Sequence, residues 1–120
     1  MNEQVFFFDT YAFFEIIAGN PAYKKFASEN AITTIFNLAE LNYALKREGK
    51  QFADKVTKEY EIFLVEITIE DIMKAMDLRL KNRKLSIPDA IGYIVAKRKK
   101  VKFLTGDKEF SKMPNVEFVK

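Results

Sequence analysis

Four acidic residues, Asp9, Glu40, Asp89 and Asp107, are spread over almost the whole chain, yet each falls where the local pattern puts a strand end or a helix start. Asp9 follows the apolar run Val5 to Phe8 and precedes a helical stretch, Thr10 to Ala18, closed by Gly19, Asn20 and Pro21. Glu40 lies in LAELNYAL, about one or two turns into a helix that starts near Thr34 and runs through Arg47. Asp89 completes Ser86-Ile87-Pro88-Asp89, where a serine answered by a following acid, with proline in the first turn, opens a helix. Asp107 follows Gly106 after a short inner strand, Val101 to Thr105. In right-handed α/β units, helix starts and strand ends share one edge of the sheet. The four carboxylates are therefore expected to meet. Like charges gathered at a partly buried edge must protonate, find cations or hold a metal. Mg2+ or Mn2+ suits such a set, because hard cations prefer carboxylate and water oxygens. Singly, each acid has an ordinary structural use, as N-cap, solvated helical glutamate, capping-box acid or turn residue. It is the joint pattern that points to a metal site.

What is missing narrows the chemistry further. The chain of 120 residues has no cysteine and no histidine. That excludes disulfides, thiol nucleophiles, Ser-His-Asp catalysis and His- or Cys-ligated zinc within it. Acid–base or metal work falls to Asp, Glu, Lys, Tyr, hydroxyls and water. The net charge of +3 permits a polyanionic partner without demonstrating one. At this length one domain, spanning residues 1–120, is expected. Val5 to Gly19 is apolar, but Asp9 and Glu15 interrupt it and no basic segment precedes it. It reads as a buried strand and helix, not as a signal peptide or a membrane span, and a cytoplasmic location is the default.

The elements that must position the acids follow from periodicity. Val5 to Phe8 has the composition of a central strand buried on both faces. Ala22 to Glu29 reads as a short helix and Ala31 to Thr34 as a brief β-branched strand. Leu38, Leu41 and Leu45 mark the inner stripe of the helix that carries Glu40. Gln51 to Tyr60 is expected to be helical and Ile62 to Ile67 to form a third strand. Thr68 and Asp71 cap a helix whose stripe of Ile69, Ile72, Met73, Met76 and Leu80 is expected to face the core, leaving Asp71 and Asp77 solvated. The nearly all-apolar run Ala90 to Ala96 marks a helix buried on most sides, ending in Lys97 to Lys100, cations that favour a helix C-terminus. Lys108 to Lys112 makes a short turn or helix, and Val116 to Val119 an edge strand. The expected fold is α/β, a single-domain three-layer α/β/α sandwich with a mostly parallel central sheet.

The strand ending in FDT at Asp9 and Thr10, LAEL with Glu40, IPDAIGYIVA with Asp89, and FLTGDKEF with Thr105, Asp107 and Phe110 form an ordered set. The set resembles the PIN-domain family, and within it the small VapC-like ribonuclease toxins of type II toxin–antitoxin pairs. The resemblance covers essentially the whole chain and implies metal-dependent hydrolysis of RNA phosphodiesters, a homodimer, and a small antitoxin protein that occupies the acidic groove. Carried over, Asp9, Glu40, Asp89 and Asp107 would form the metal site, with Thr10 and Thr105 orienting a carboxylate or water through their hydroxyls. A divalent metal fits the absence of histidine, since it lowers the pKa of an attacking water.

Substrate cations are expected at Lys81, Arg83, Lys84 and Lys108, which lie nearer the acids than the run from Lys97 to Lys100. Tyr11 and Tyr43 are expected to pack in the core rather than stack a base. Two other functions compete. A phospho-accepting receiver domain also has an acidic Mg2+ pocket, but needs an acceptor Asp at the end of its third strand, where this chain has Glu66, and a Lys-Pro pair that is absent. A non-catalytic α/β binding module would use the acids only as caps.

Overall fold

The computed structural model describes residues 4–28 and 30–120. In chain order the elements are β1 (Val5–Phe8), α1 (Thr10–Ala18), β2 (Asn30–Ile32), α2 (Ile35–Arg47), α3 (Ala53–Glu59), α4 (Ile69–Lys81), α5 (Ile87–Arg98), β3 (Lys102–Thr105) and β4 (Val116–Phe118), with 3-10 segments at Pro21–Ser28, Tyr60–Phe63 and Lys108–Phe110. Among the described residues the strands form one all-parallel sheet in the order β2-β1-β3-β4. Phe7 of β1 sits opposite Ile32 on one side and Phe103 on the other.

Strand alternation makes the layers. Phe6, Phe8 and Leu104 point to one face, where Phe13 of α1, Leu38, Leu41 and Leu45 of α2, and Ala53 of α3 cover them. Phe7 and Phe103 point to the other, under Ala75 of α4 and Ile91, Val95 and Ala96 of α5. Phe7 stacks on Phe103 with ring centroids 5.4 Å apart, and Phe103 meets Phe110 at 4.6 Å. The result is a parallel sheet with helices on both faces, as β1 and its neighbours require, being apolar on both sides.

Four features differ from the sequence reading. The expected strand at 62–67 does not form: Tyr60–Phe63 is a 3-10 turn, and only Leu64 bridges to Thr33. The neighbouring β2 ends at Ile32 and Thr34 already caps α2, so little partner backbone remains. Ile62, at 83% exposure, also has no buried face to alternate towards. Secondly, the stripe of α4 is turned round. Ile69, Met73 and Leu80 are exposed, Ile72 and Met76 half-buried, and the inner face is set by Asp71 and Ala75. Asp71 is therefore not solvated but buried; Asp77 is exposed. Arg98 explains the burial, donating from Nε and Nη2 to the Asp71 carboxylate at 2.8–3.1 Å. Arg98 and Lys99 also pair with Glu66, so the basic end of α5 is partly consumed in ion pairs. Thirdly, Tyr43 is exposed instead of in the core, whereas Tyr11 is partly buried. The segment at Pro21–Ser28 is 3-10 rather than α-helical, and the expected helix end at Glu29 lies outside the described residues.

Candidate active site

Asp9 lies between the central strand β1 and α1, and its backbone N–H still donates to Leu104 of β3. It occupies the N-cap position of α1, yet its side chain makes no capping bond. The carboxylate is turned elsewhere. Oδ2 accepts a 2.8 Å bond from the Thr105 hydroxyl at the end of β3, while Oδ1 is buried with no partner. Burial first, then the charge of Asp89 and also that of Glu40, push the Asp9 carboxyl well above the ordinary carboxylate range; the Thr105 bond and the Thr10 backbone pull the other way.

Asp89 is held by α5's own start. The Ser86 N–H donates to Asp89 Oδ2 at 2.9 Å, and the Asp89 N–H donates to the Ser86 hydroxyl oxygen at 3.1 Å, a capping box with Pro88 in the first turn. Burial, reinforced by Glu40 and Asp107 against the Ser86 bonds, raises Asp89 to about 6. Glu40 reaches the same place from α2 and accepts from the Ser86 hydroxyl at 3.4 Å. Asp107 caps the short turn Lys108–Phe110, accepting from the Glu109 N–H at 3.0 Å, and its own N–H donates to the Thr105 hydroxyl oxygen. Thr105 thus links Asp9 to Asp107. A Cβ at the preceding turn residue Gly106 would collide with the Val119 carbonyl and the Tyr11 ring, so the turn closes only with glycine there.

The remaining residues named from sequence fall as follows. The Thr10 hydroxyl donates to the Asn37 carbonyl at 3.3 Å rather than to a carboxylate; its contribution to Asp9 comes from its backbone. Lys81, Arg83, Lys84 and Lys108 are exposed, at the end of α4, in the link to α5, and immediately after Asp107. Glu66 lies with Arg98 and Lys99 at the C-terminal end of α5, away from the acids. Asn37, buried beneath this edge, was not singled out by sequence; its type, an amide inside an apolar helix face, was the available signal.

The four acids therefore share one electrostatic neighbourhood: Asp9 feels Asp89 and Glu40, and Asp89 feels Glu40 and Asp107. Among the described residues, no lysine or arginine pairs with any of them. Nor, among those residues, do three or more acids close into a cage ready to wrap one ion. The donor set is all oxygen, with an orphaned buried oxygen at its centre. That fits a hard cation which keeps several waters and takes only one or two carboxylates directly, and does not fit a fully dehydrated all-protein site.

The comparisons with known proteins agree with this architecture. The chain is 20% identical to VapC20 of Mycobacterium tuberculosis, described as a sarcin-ricin loop cleaving toxin, with a TM-score of 0.77 over 95% of this chain and 96% of that one. It is likewise 20% identical to a chain of a toxin–antitoxin complex from Klebsiella pneumoniae, TM-score 0.74, covering 92% and 94%. A chain of the VapBC2 complex from Rickettsia felis, bound to a DNA fragment from its promoter, is 14% identical with a TM-score of 0.68, covering 97% and 98%. Among curated protein sequences none is significantly similar. At these identities the structural likenesses establish the fold alone. The profile of the PIN domain matches residues 6–116, which span β1 through the start of β4 and include all four acids, and the chain belongs to the PIN-domain family.

Proposed function

We propose that this chain is a metal-dependent endoribonuclease that hydrolyses RNA phosphodiester bonds at the Asp9 pocket, as the toxin of a toxin–antitoxin pair. The observation that carries the reading is the Asp9 carboxylate, buried, not capping its own helix, with one oxygen unpartnered and acids as its charged neighbours. Membership of the PIN-domain family and the likeness to VapC20 and to toxin–antitoxin complexes support it.

In this reading Asp9, Glu40, Asp89 and Asp107 would hold Mg2+ or Mn2+, one or two of them directly and the others through its waters. When bound there, such an ion would supply a water activated near neutral pH and offset the charge that grows on the phosphate. The protein's own part is orientation. Thr105 pins Asp9 Oδ2, which leaves Oδ1 free, and through its bond from the Asp107 N–H it fixes the neighbouring turn. Ser86 fixes Asp89 with its N–H and reaches Glu40 with its hydroxyl. Lys81, Arg83, Lys84 and Lys108 contact phosphates of the RNA and set its path. A small antitoxin covers the acidic groove. A second copy of the chain covers the outer stripe of α4, where Ile69, Met73 and Leu80 are exposed.

The test is cleavage of structured RNAs by purified protein stripped of any co-purifying partner. Cleavage that requires Mg2+ or Mn2+, stops with EDTA and disappears in Asp9→Asn supports the reading. Intact RNA together with no binding of a divalent ion overturns it.

A further inference from the structure

Asn37 sits in the first turn of α2 and is fully buried. A buried amide is costly unless its groups are paired. Its Oδ1 accepts from the Thr34 hydroxyl at 2.6 Å. Its Nδ2 donates to the Thr10 hydroxyl oxygen over a long 3.5 Å, and Thr10 returns a 3.3 Å bond to the Asn37 carbonyl. From a third side α5 presses on it: a Cβ at Gly92 would lie 3.1 Å from Asn37 Oδ1 and 2.9 Å from the Phe7 ring. Phe7 is itself immobilised against Phe103, so the approach has little room to relax.

Three elements thus meet on one side chain, and they are the elements that carry Asp9, Glu40 and Asp89. The offsets are short. Thr10 is next to Asp9, Glu40 follows Asn37 by one helical step on the same face, and Asp89 precedes Gly92 in the same way. Helix capping does not explain the amide, because Thr34 already accepts the Asn37 backbone N–H. Packing does not explain it either: an apolar residue of similar size would fill the space without needing partners.

We infer that Asn37 is a positioning residue, whose buried amide sets the spacing of Asp9, Glu40 and Asp89 and thereby the pocket's hold on a divalent ion. The inference rests on the metal-dependent reading above.

The test measures Mn2+ binding to the full chain by electron paramagnetic resonance, alongside thermal melting, for wild type, Asn37→Leu, Thr10→Val and Arg98→Met. Asn37→Leu is expected to keep its fold and bind Mn2+ at least about tenfold more weakly, as loss of an orienting partner does at metal sites. Thr10→Val moves the same way by less. Arg98→Met, at the far end of α5, melts lower yet binds Mn2+ as wild type does. The inference is overturned if Asn37→Leu binds Mn2+ as tightly as wild type, or if Arg98→Met weakens binding as much as Asn37→Leu does. Should Asn37→Leu not fold, Thr10→Val decides on the same criterion. Wild-type protein that binds no Mn2+ overturns this inference, and if it also binds no Mg2+ and leaves RNA intact the nuclease reading falls with it, an outcome distinct from the other two.

Discussion

Asp71 and Asp89 start from the same local motif and reach opposite ends. Each is the acid of a capping box, at the head of α4 and of α5. The bonds are near copies: Thr68 N–H to Asp71 at 2.9 Å and Ser86 N–H to Asp89 at 2.9 Å, with return bonds of 3.0 and 3.1 Å. The difference arrives from far along the chain. Asp71 receives the Arg98 guanidinium in a two-nitrogen grip; Asp89 receives Glu40 and Asp107, and faces Asp9. Burial alone would raise Asp71, but the bonds from Arg98 and Thr68 and the charge of Arg98 outweigh it and hold the carboxyl below its ordinary value. Asp89 stands at about 6. A local motif decides where a helix begins, whereas the long-range partner decides whether its acid is paired with a cation within the protein or left among other acids.

The sharpest way to break the contrast is to neutralise one acid at a time. Asp9→Asn and Asp89→Asn are expected to lower RNA cleavage by at least about a hundredfold, and Asp71→Asn to leave the folded protein's cleavage near wild type, in single-turnover assays. Stability should sort the other way. Asp71→Asn leaves Arg98 without its main partner and is expected to cost about 2 kcal/mol in urea unfolding, less than a fully buried pair because the guanidinium still meets solvent. Asp89→Asn, which removes repulsion, should be neutral or stabilising in metal-free protein.

The pH dependence separates the two acids by sign. A folded carboxyl at about 6 against an ordinary 3.8 retains a proton that the unfolded chain has released. Stability from Asp89 therefore falls as pH rises from about 4 to 6, and Asp9, also raised, acts with the same sign. Asp71 contributes oppositely, its stabilisation present above its ordinary value and lost as pH falls through its lowered one. Metal-free protein should melt lower at pH 7 than at pH 5 through the acidic pocket, and Asp89→Asn should flatten that slope. Mg2+ or Mn2+ at pH 7 should raise the melting temperature of wild type but not of Asp9→Asn. The smallest effect concerns the outward face of α4. Met73→Lys should change unfolding free energy by no more than about 0.5 kcal/mol while shifting the protein to monomer in sedimentation.

Much of the acid edge could be read from the chain because its signals are local. Pro88 and the Ser86–Asp89 spacing announce the start of α5, and the apolar run before Asp9 announces β1. What was not legible depended on partners distant in sequence. The stripe of Ile69, Met73 and Leu80 looked like a core face, and nothing nearby shows that Arg98 draws Asp71 inward instead. The run at 62–67 has the composition of a strand, but its neighbour β2 is too short to pair with it. The amide of Asn37 is a local oddity in an apolar helix face, but it becomes a junction only once α1 and α5 are packed against it.

The central pair of the sheet joins Phe6 to Lys102 and Phe7 to Phe103, so β1 waits for a strand that lies far along the chain. Thr105, which fixes Asp9, belongs to that late strand. A nascent chain emerging from the ribosome therefore has its first acid but not the strand that orients it, and domains dominated by such distant pairings fold late. The Asp9 carboxylate is in this way held in its final orientation only after the two distant strands have paired.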